Sequence, residues 1–379
     1  MKNLAPMTDH PALLPLDHDD RARGAFAFTL RNHVTSRLMP GTRILFDGRA
    51  RARFAATHGR QPQSPDEIRQ AMDADPWYRF YLSARRTSQE LIWASLIPAA
   101  EAAPPPADVG GAGGTLTLDP GVEAPAYVGA IDIHCMPGGY LADRGDGDVA
   151  AGAIYDRGVH IYMSGLMGPA NDAVGQLAAR FLAARLPDFR PRRILDMGCG
   201  VGHATLPWAG VWPEAELHAI DVGRALLRYA HLRAEGLGVA VHFREANAEA
   251  TPFPDGHFDL VASSIMLHET SSAGLPRILA ESWRLLAPGG VMLHVDQPRF
   301  DEDDPWATFL QENETHYNNE PFWRRYRRID LAAQAREVGF ETVELAILSA
   351  EVVRQSQNNA PGEAKADAKG FLALLAVKA

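Results

Sequence analysis

The second half of the chain alternates short apolar runs with amphipathic stretches. From Arg193 onward, Gly, Pro and Asp bound each apolar run and helical patterns separate the runs, which read ILDMG, ELHAID, VAVHF, FDLVASS and VMLHVD. A helical pattern from about Asp172 to Leu186 precedes the first run. Such alternation is typical of a parallel sheet with helices on its faces, so we predict an α/β fold here.

The first half of the chain has a different pattern. Residues 1–20 mix Pro and Asp without an apolar period, which predicts a flexible tail. Helices are predicted from the capping signal at 64–67 and from the apolar positions over 77–97. The Ala-, Pro- and Gly-rich stretch 98–115 predicts a linker or long surface loop. Runs such as TLTL, AYVGAIDIH and AIYDRGVHIYM then predict short strands up to about residue 168.

Composition and charge narrow the classes of partner. Of the 379 residues, 46% are hydrophobic and 22% charged, and the formal net charge is −10. This acidic balance disfavours nucleic acid, whose binding depends on neutralising phosphates. No uncharged apolar run approaches the roughly 18 residues that span a bilayer, so we expect no membrane partner. Pro and Asp interrupt the N-terminal apolar patch, where a signal peptide needs an unbroken apolar core, so we expect a cytoplasmic protein. Cys135 and Cys199 are too few for a disulfide framework.

The strongest chemical signal is a glycine-rich turn after the first strand of the α/β region. In RRILDMGCGVGHATLP the strand leads to Asp196 and then to Gly198, Gly200 and Gly202 before a predicted helix. Glycines let the backbone approach a ligand at the carboxyl end of a strand, where such sheets bind nucleosides. The dinucleotide fingerprint Gly-x-Gly-x-x-Gly is not met, because the third glycine comes one residue early and His203 takes its place.

This turn resembles motif I of the class I S-adenosylmethionine-dependent methyltransferases. The resemblance is strong over residues 192–296 and weak from there to the C-terminus, and it does not cover residues 1–170. It implies a Rossmann-like seven-stranded sheet, mostly parallel with the last strand antiparallel, in which ETVELAIL and FLALLAVKA supply the final strands. It also implies S-adenosyl-L-methionine as the cofactor.

The sequence patterns and the resemblance together divide the chain into three parts. Residues 1–20 are the tail, residues 21–170 form an N-terminal helical and β region, and residues 171–379 form the S-adenosylmethionine-binding domain. The N-terminal region would shape or cover the acceptor site or form a dimer interface. A homodimer is therefore a candidate assembly.

Several positions match the family's cofactor contacts. Besides Asp196 and the three glycines, Asp221 ends the second strand, where an acidic side chain accepts hydrogen bonds from both ribose hydroxyls. Asn247 and Ala248 lie in the loop that contacts the adenine. The family commonly has Asp at the position of Asn247, and the neutral amide oxygen can still accept from the adenine amino group. Ser263, near the end of the fourth strand, completes the predicted set.

The acceptor is less defined than the cofactor. His268 and Glu269 follow the fourth strand in the segment SSIMLHETSS. The segment resembles that of small-molecule O-methyltransferases, where Leu-His-Asp supplies a general base, and that of quinone-type C-methyltransferases, where Leu-His-His has no such role. We prefer O-methylation of a small molecule, with His268 as a base that titrates near neutral pH and Glu269 as its orienting carboxylate. C-, N- or S-methylation of a metabolite, and a scaffold or sensor without turnover, stay open.

Two stretches offer side chains for a compact acceptor. The segment QENETHYNNEPFWRRYRRIDL, after the fifth strand, commonly covers the active site in this fold, whereas YDRGVHIYMSG belongs to the N-terminal region. An amphipathic helix with solvated arginines explains the first equally well, and a hairpin explains the second. The candidate substrate residues are His316, Tyr317, Asn318, Trp323 and Tyr155.

His134 and Cys135 have side chains of types that bind metals. The two residues are adjacent, but no further ligands follow at a fitting spacing. We therefore predict that the protein holds no metal.

Overall fold

The structure, a computed structural model, describes residues 4–104, 111–297, 304–349 and 370–379. Its centre is an eight-stranded sheet. The strands are β1 (Thr115–Thr117), β2 (Arg193–Met197), β3 (Glu216–Asp221), β4 (His242–Glu245), β5 (Phe258–Ser264), β6 (Leu286–Asp296), β7 (Thr342–Leu348) and β8 (Phe371–Val377). Their order across the sheet is β1-β4-β3-β2-β5-β6-β8-β7.

All neighbouring strands are parallel except at β8, which runs antiparallel to both β6 and β7. This confirms the predicted fold class, with one strand more than expected. The additional strand is β1, which pairs with β4 through Thr115 and His242 at the sheet edge. It is the run TLTL, directly after the Ala-, Pro- and Gly-rich stretch, and its alternation of polar and apolar side chains confirms the strand predicted there.

Helices cover both faces of the sheet. They include α8 (Ala173–Arg185), α9 (Pro207–Val211), α10 (Arg224–Gly236), α11 (Gly274–Leu285) and α14 (Leu331–Glu337). Adjacent β5 side chains point to opposite faces, so that Leu260 packs into one apolar core and Val261 into the other. The chain moves outward from β2 through β3 and β4, then returns to β5 on the other side of β2. This reversal opens a crevice beyond the carboxyl ends of β2 and β5, where open α/β sheets bind ligands.

A helical layer lies on the N-terminal side. It comprises α1 (His18–His33), α2 (Met39–Leu45), α3 (Arg51–His58), α4 (Pro65–Asp73), α5 (Pro76–Ala94) and α6 (Ile97–Ala102), and two five-residue π-helical stretches join α1, α2 and α3. Ser64 caps α4 as predicted, accepting from the Glu67 amide at 3.2 Å. After β6, the helices α12 (Pro305–Tyr317) and α13 (Trp323–Tyr326) follow, and Trp306 and Phe309 pack into this layer.

The N-terminal segment differs from the flexible tail expected over residues 1–20. Ala12 and Leu14 are buried, and His10 Nε2 lies 3.4 Å from an Asp156 oxygen. Asp17 caps α1 by accepting from the Asp20 amide at 2.7 Å. The apolar patch is too short to show a period in the sequence, although it is long enough to fill a gap in the core.

The strand predicted for AIYDRGVHIYM is wrong, because these residues belong to helix α7 (Ala150–Tyr162). Its β-branched and aromatic residues imitate a strand pattern, but tertiary packing favours the helix. At Gly152 the Tyr229 side chain lies against the helix backbone, and at Gly158 the Trp93 ring does so. The AYVGAIDIH run likewise forms turns and a short 3₁₀ segment, Ile133–Cys135.

Among the described residues, the helices are all too short or too polar to cross a bilayer.

Candidate cofactor and acceptor site

A cavity of about 430 Å³ lies beyond the carboxyl ends of β2, β3 and β5. We distinguish two ends by the residues that line them. The glycine end carries Asp196, Gly198, Gly200, Asp221 and Asn247, and the histidine end carries His134, Tyr140, His268, Glu269 and Glu320. Both ends belong to one continuous space.

The turn after β2 depends on glycine. Gly198, Gly200 and Gly202 have φ values of +66°, +53° and +78°, a left-handed region that favours glycine. A Cβ on Gly198 would collide with the Met266 side chain. Gly198 and Gly200 line the cavity. Gly202 does not line it, and its amide donates to the Cys199 carbonyl at 2.9 Å within the turn.

Two carboxyl groups stand beside this turn. Asp221 accepts from the Gly200 amide at 2.9 Å and from the Gly223 amide at 2.8 Å, one to each oxygen. Each oxygen can accept a further hydrogen bond, so the group is oriented for a ligand with two adjacent hydroxyls. Asp196 accepts from the Thr205 hydroxyl at 2.5 Å. Burial, with a contribution from the neighbouring Asp221, raises the pKa of Asp196 to about 7.

The remaining predicted cofactor residues divide into two groups. Asn247 and Ala248 line the cavity, and the Asn247 side-chain oxygen accepts from the Glu249 amide at 2.9 Å. Ser263 does not line it, because its hydroxyl lies 2.7 Å from His294 Nδ1 in the interior. Side chains alternate along β5, so the following residue, Ser264, faces the cavity instead.

His268 reaches the cavity from a 3₁₀ turn, Leu267–Glu269, and is 1% exposed. Its Nδ1 lies 2.6 Å from Asp296 Oδ1. Burial alone would lower the pKa of His268, but the carboxylates of Asp296, Glu320 and Glu269 raise it to about 9. This corrects the expectation that the ring titrates near neutral pH.

Asp296, not Glu269, is the carboxylate that orients His268. Glu269 Oε1 is 3.7 Å from His268 Nε2 and closer to two other groups, His134 Nε2 at 2.9 Å and the Tyr140 hydroxyl at 3.0 Å. The sequence analysis missed Asp296, although it is the last residue of the fifth predicted strand, VMLHVD, and therefore shares an edge with the end of the fourth.

His134 connects the N-terminal region to this cluster. Its carbonyl accepts from Trp93 Nε1 at 2.7 Å, and its Nδ1 lies 2.9 Å from Glu320 Oε1. Burial would lower the pKa of His134, yet the Glu320 and Glu269 carboxylates raise it well above the usual value. No local motif marked His134 or Glu320 as partners, because their contact depends on the folded arrangement of distant segments.

The predicted substrate residues are only partly brought together. Tyr155 and Trp323 line the cavity. Asn318 is buried behind it, with Nδ2 3.0 Å from His134 Nδ1. Tyr317 packs against the helical layer and His316 is exposed, so neither lines the cavity. Aromatic lining that the sequence analysis did not select comes from Trp93, Tyr127, Tyr140 and Tyr162.

Comparison with known proteins agrees with this arrangement. Residues 194–290 match the family model described as "Methyltransferase domain". The chain is 39% identical over 108 residues to a demethylmenaquinone methyltransferase of Thermus thermophilus, covering 28% of this chain and 48% of that protein. It is 37% identical over 103 residues to a malonyl-[acyl-carrier protein] O-methyltransferase of Halorhodospira halophila, covering 27% and 34%. A ubiquinone/menaquinone biosynthesis C-methyltransferase of Vibrio vulnificus is 34% identical over 116 residues, covering 29% and 44%.

Residues 194–290 are similar to a methyltransferase domain, which agrees with the resemblance to the class I S-adenosylmethionine-dependent methyltransferases. The chain spans less than half the length of these curated relatives. The glycine end fits the cofactor S-adenosylmethionine, because it combines a turn without side chains at Gly198 and Gly200 with the oriented Asp221 carboxylate.

Proposed function

We propose that the protein is an S-adenosylmethionine-dependent methyltransferase that acts on a small molecule, with O-methylation as the preferred reaction. The observation that carries the proposal is the two-ended cavity, which joins the nucleoside-type contacts of the glycine end to the polar and aromatic histidine end. S-adenosylmethionine supplies a methyl group on a positively charged sulfur when it is bound. In the reaction a hydroxyl oxygen of the acceptor forms a bond to the methyl carbon, the carbon–sulfur bond breaks, and the hydroxyl proton is released.

Each end of the cavity has a separate task in this proposal. At the glycine end Asp221 would hold the ribose, Asn247 and Ala248 the adenine, and Asp196 would support the turn. At the histidine end His268 and Glu269 would contact the acceptor, and the Glu269 and Glu320 carboxylates can receive its proton. Most of the barrier would be lowered by holding the acceptor in line with the methyl group.

Carbon methylation is the second candidate, and the comparisons favour it. Two of the three relatives named above are quinone-type methyltransferases, and one of those is named as a C-methyltransferase. The aromatic lining of Tyr140, Tyr155 and Trp323 suits a planar ring in either reaction. Transfer to nitrogen or sulfur, and a binding protein without turnover, are outcomes of the same test.

The N-terminal region, residues 21–170, is proposed to shape the acceptor side of the cavity. It contributes Trp93, His134, Tyr140, Tyr155 and Tyr162 to the lining. Residues 171–379 are proposed as the cofactor-binding domain. The alternative task of residues 21–170, as a dimer interface, can be checked by sedimentation equilibrium.

The test is an acceptor screen followed by product analysis. The protein is incubated with S-adenosylmethionine and a panel of phenols, catechols and quinols, and S-adenosylhomocysteine is quantified by mass spectrometry. We expect turnover with a compact aromatic hydroxyl compound and an O-methyl signal in the NMR spectrum of the product. A C-methyl signal would replace the preferred reaction with the second candidate. Binding of S-adenosylhomocysteine with no turnover across the panel would favour the binding protein.

A further inference from the structure

Four side chains of metal-ligand type converge at the histidine end. His134, Glu269 and Glu320 each offer a ligand atom, and these atoms lie within 4.8 Å of one another. His268 Nε2 lies 3.7 Å from Glu269 Oε1 and 3.8 Å from Glu320 Oε2. We propose that these four side chains bind a divalent first-row transition cation of the Zn²⁺ type, on the acceptor side of the cavity.

The separations between donor atoms are close to those of a tetrahedral site. With metal–ligand distances of about 2.1 Å, the donor atoms of such a site are about 3.4 Å apart. The observed contacts lie on both sides of this value, at 2.9 Å for His134 Nε2 to Glu269 Oε1 and at 3.7 and 3.8 Å for the two contacts of His268. His134, Glu269 and Glu320 form the compact part of the site, and His268, whose Nε2 adjoins both glutamates, would be the fourth ligand after moving toward them. His134 contacts Glu269 through Nε2 and Glu320 through Nδ1, so one of these two contacts must open when a single ion binds. Two imidazoles with two carboxylates suit Zn²⁺, Fe²⁺ or Mn²⁺ better than Mg²⁺, which prefers oxygen ligands.

An unpartnered carboxylate oxygen independently indicates a ligand. Glu320 is 1% exposed, and its Oε2 has no hydrogen-bond partner in the parts of the chain that the structure describes. Leaving a buried acceptor without a donor is unfavourable. Glu320 lines the cavity, and its nearest ionic neighbour through Oε2 is His268 Nε2. A cation between these two side chains would satisfy that oxygen.

The charges of the cluster also suit a cation. The carboxylates of Glu269, Glu320 and Asp296 surround the two imidazole rings of His134 and His268. Ligation of a metal displaces the proton of each ring nitrogen that binds it, and with both rings neutral three negative charges remain in a largely buried space. A divalent cation would offset two of them without requiring any further positively charged side chain.

Second contacts orient the proposed ligands. Asp296 holds His268 Nδ1 at 2.6 Å, so that Nε2 is directed away from it, and the Tyr140 hydroxyl donates to Glu269 at 3.0 Å. The Asn319 side chain donates to the Asp132 carbonyl at 2.8 Å, which joins the segment carrying Glu320 to the segment carrying His134. Metal-binding histidines and carboxylates usually have such partners.

The proposed ligands of the site are far apart in the sequence. Cys135, the neighbour of His134, does not belong to the site, because its Sγ lies 3.7 Å from the Tyr317 carbonyl oxygen. The further ligands come from 135 residues later, at Glu269, and from beyond α12. Binding of a cation does not depend on the proposed function. Only the role of the cation rests on that proposal, since a cation at this site would favour acceptors that present an oxygen atom.

The proposal is tested by metal binding without any activity measurement. The full-length protein is purified without chelators and analysed by inductively coupled plasma mass spectrometry, and the affinities of Zn²⁺, Mn²⁺ and Mg²⁺ are measured by competition with a chromophoric chelator. We expect one zinc ion per chain and weaker binding of Mg²⁺ than of Zn²⁺. Glu320→Gln should lower zinc affinity more than about tenfold, and Asp296→Asn about 10- to 100-fold.

A matched control is Glu312→Gln. Glu312 is also buried, at 2% exposure, and lies on α12, but its ion pairs are with Arg324 and Arg69 outside the cluster. This variant should keep wild-type zinc affinity. If Glu320→Gln does not fold by circular dichroism, the less buried Glu269→Gln replaces it.

Two results would overturn the proposal. One is wild-type protein that binds no zinc above background, and the other is zinc binding that is equal in wild type and in the cluster variants. Titration with S-adenosylhomocysteine on the same samples separates this failure from that of the proposed function. Nucleoside binding without zinc binding overturns the metal site alone.

Discussion

Asp221 is the residue on which cofactor binding should depend most. Its carboxylate is held by two backbone amides, and in the proposed site its two oxygens would accept from the ribose hydroxyls. Asp221→Ala leaves those hydroxyls unpaired and also frees the Gly200 amide. Since a hydrogen bond to a charged group is worth about 1.5–3 kcal/mol, we expect affinity for S-adenosylhomocysteine to fall about 10- to more than 100-fold in isothermal titration. Unchanged affinity in a folded variant would refute the assignment.

Asp196 should make the stability of the ligand-free protein depend on pH. Its pKa is about 7 in the folded protein, where Asp221 and Cys199 are the ionisable groups beside it, and about 3.9 in the unfolded chain. The folded state therefore binds more protons between these values, and its stability falls as pH rises through 7.

The measurement is urea unfolding of wild type and Asp196→Asn from pH 5 to pH 8. The amide cannot ionise, so the stability of the variant relative to wild type should increase by about 2.7 kcal/mol between pH 5 and pH 8 and level off above pH 7. A difference that stays constant over this range would show that Asp196 does not titrate there.

Single residues also show which parts of the cavity lining could be predicted from the sequence and which could not. Asp196, Gly198 and Gly200 could be predicted because a short motif contains them all, and Asp221 because it ends a recognisable strand. Ser263 missed the cavity by one position, since an error of one residue on a strand reverses the direction of the side chain. His134 and Glu320 could not be paired from the sequence, because their contact is set by the packing of segments far apart in the chain.

At the scale of elements, α7 depends on two glycines that admit neighbouring side chains. Alanine usually stabilises a helix relative to glycine by about 1 kcal/mol. Here a Cβ at Gly152 would collide with Tyr229, and overpacking of this kind costs about 1–3 kcal/mol. We expect Gly152→Ala to lower the free energy of unfolding in urea.

Gly210 in α9 is the control for this substitution. It is also helical, and a Cβ there would meet no atom within 4 Å among the described residues. Gly210→Ala should leave stability unchanged or raise it slightly. Equal effects of the two alanines would contradict the packing argument.

The elements of the two halves were predicted with different success. Strands β2 to β6 are apolar runs between clear turn signals, and parallel pairing buries them as their composition predicts. The pattern of α7 was ambiguous because a short run of Ile, Val and Tyr is compatible with a strand or a buried helix. Its contacts with Trp93 and Tyr229 decided between them, and those residues are distant in the sequence.

At the scale of the whole molecule, Asp156 connects separate parts of the chain. Its carboxylate contacts His10 from the N-terminal segment, His203 from the glycine-rich turn at 2.7 Å, and the Tyr229 hydroxyl of α10 at 2.7 Å. The N-terminal segment is therefore continuous with the cofactor site, contrary to the flexible tail that its composition indicated.

Removal of residues 1–15 should destabilise the protein. The deletion exposes the surface that Leu14 and Ala12 cover and removes His10 from Asp156. Burial of one large apolar side chain contributes about 1.5–3 kcal/mol, so we expect a loss of at least this size in urea unfolding. The full-length protein is the reference, and equal stability of the two proteins would show that the segment adds nothing to the fold.

The most direct test of the central claim is a crystal structure with S-adenosylhomocysteine. We predict the ribose on the Asp221 carboxylate, the adenine beside Asn247 and Ala248, and the sulfur directed toward His268 and Glu269, with the remaining cavity free for the acceptor. Nucleoside density outside this cavity, or no density at saturating concentration, would contradict the account.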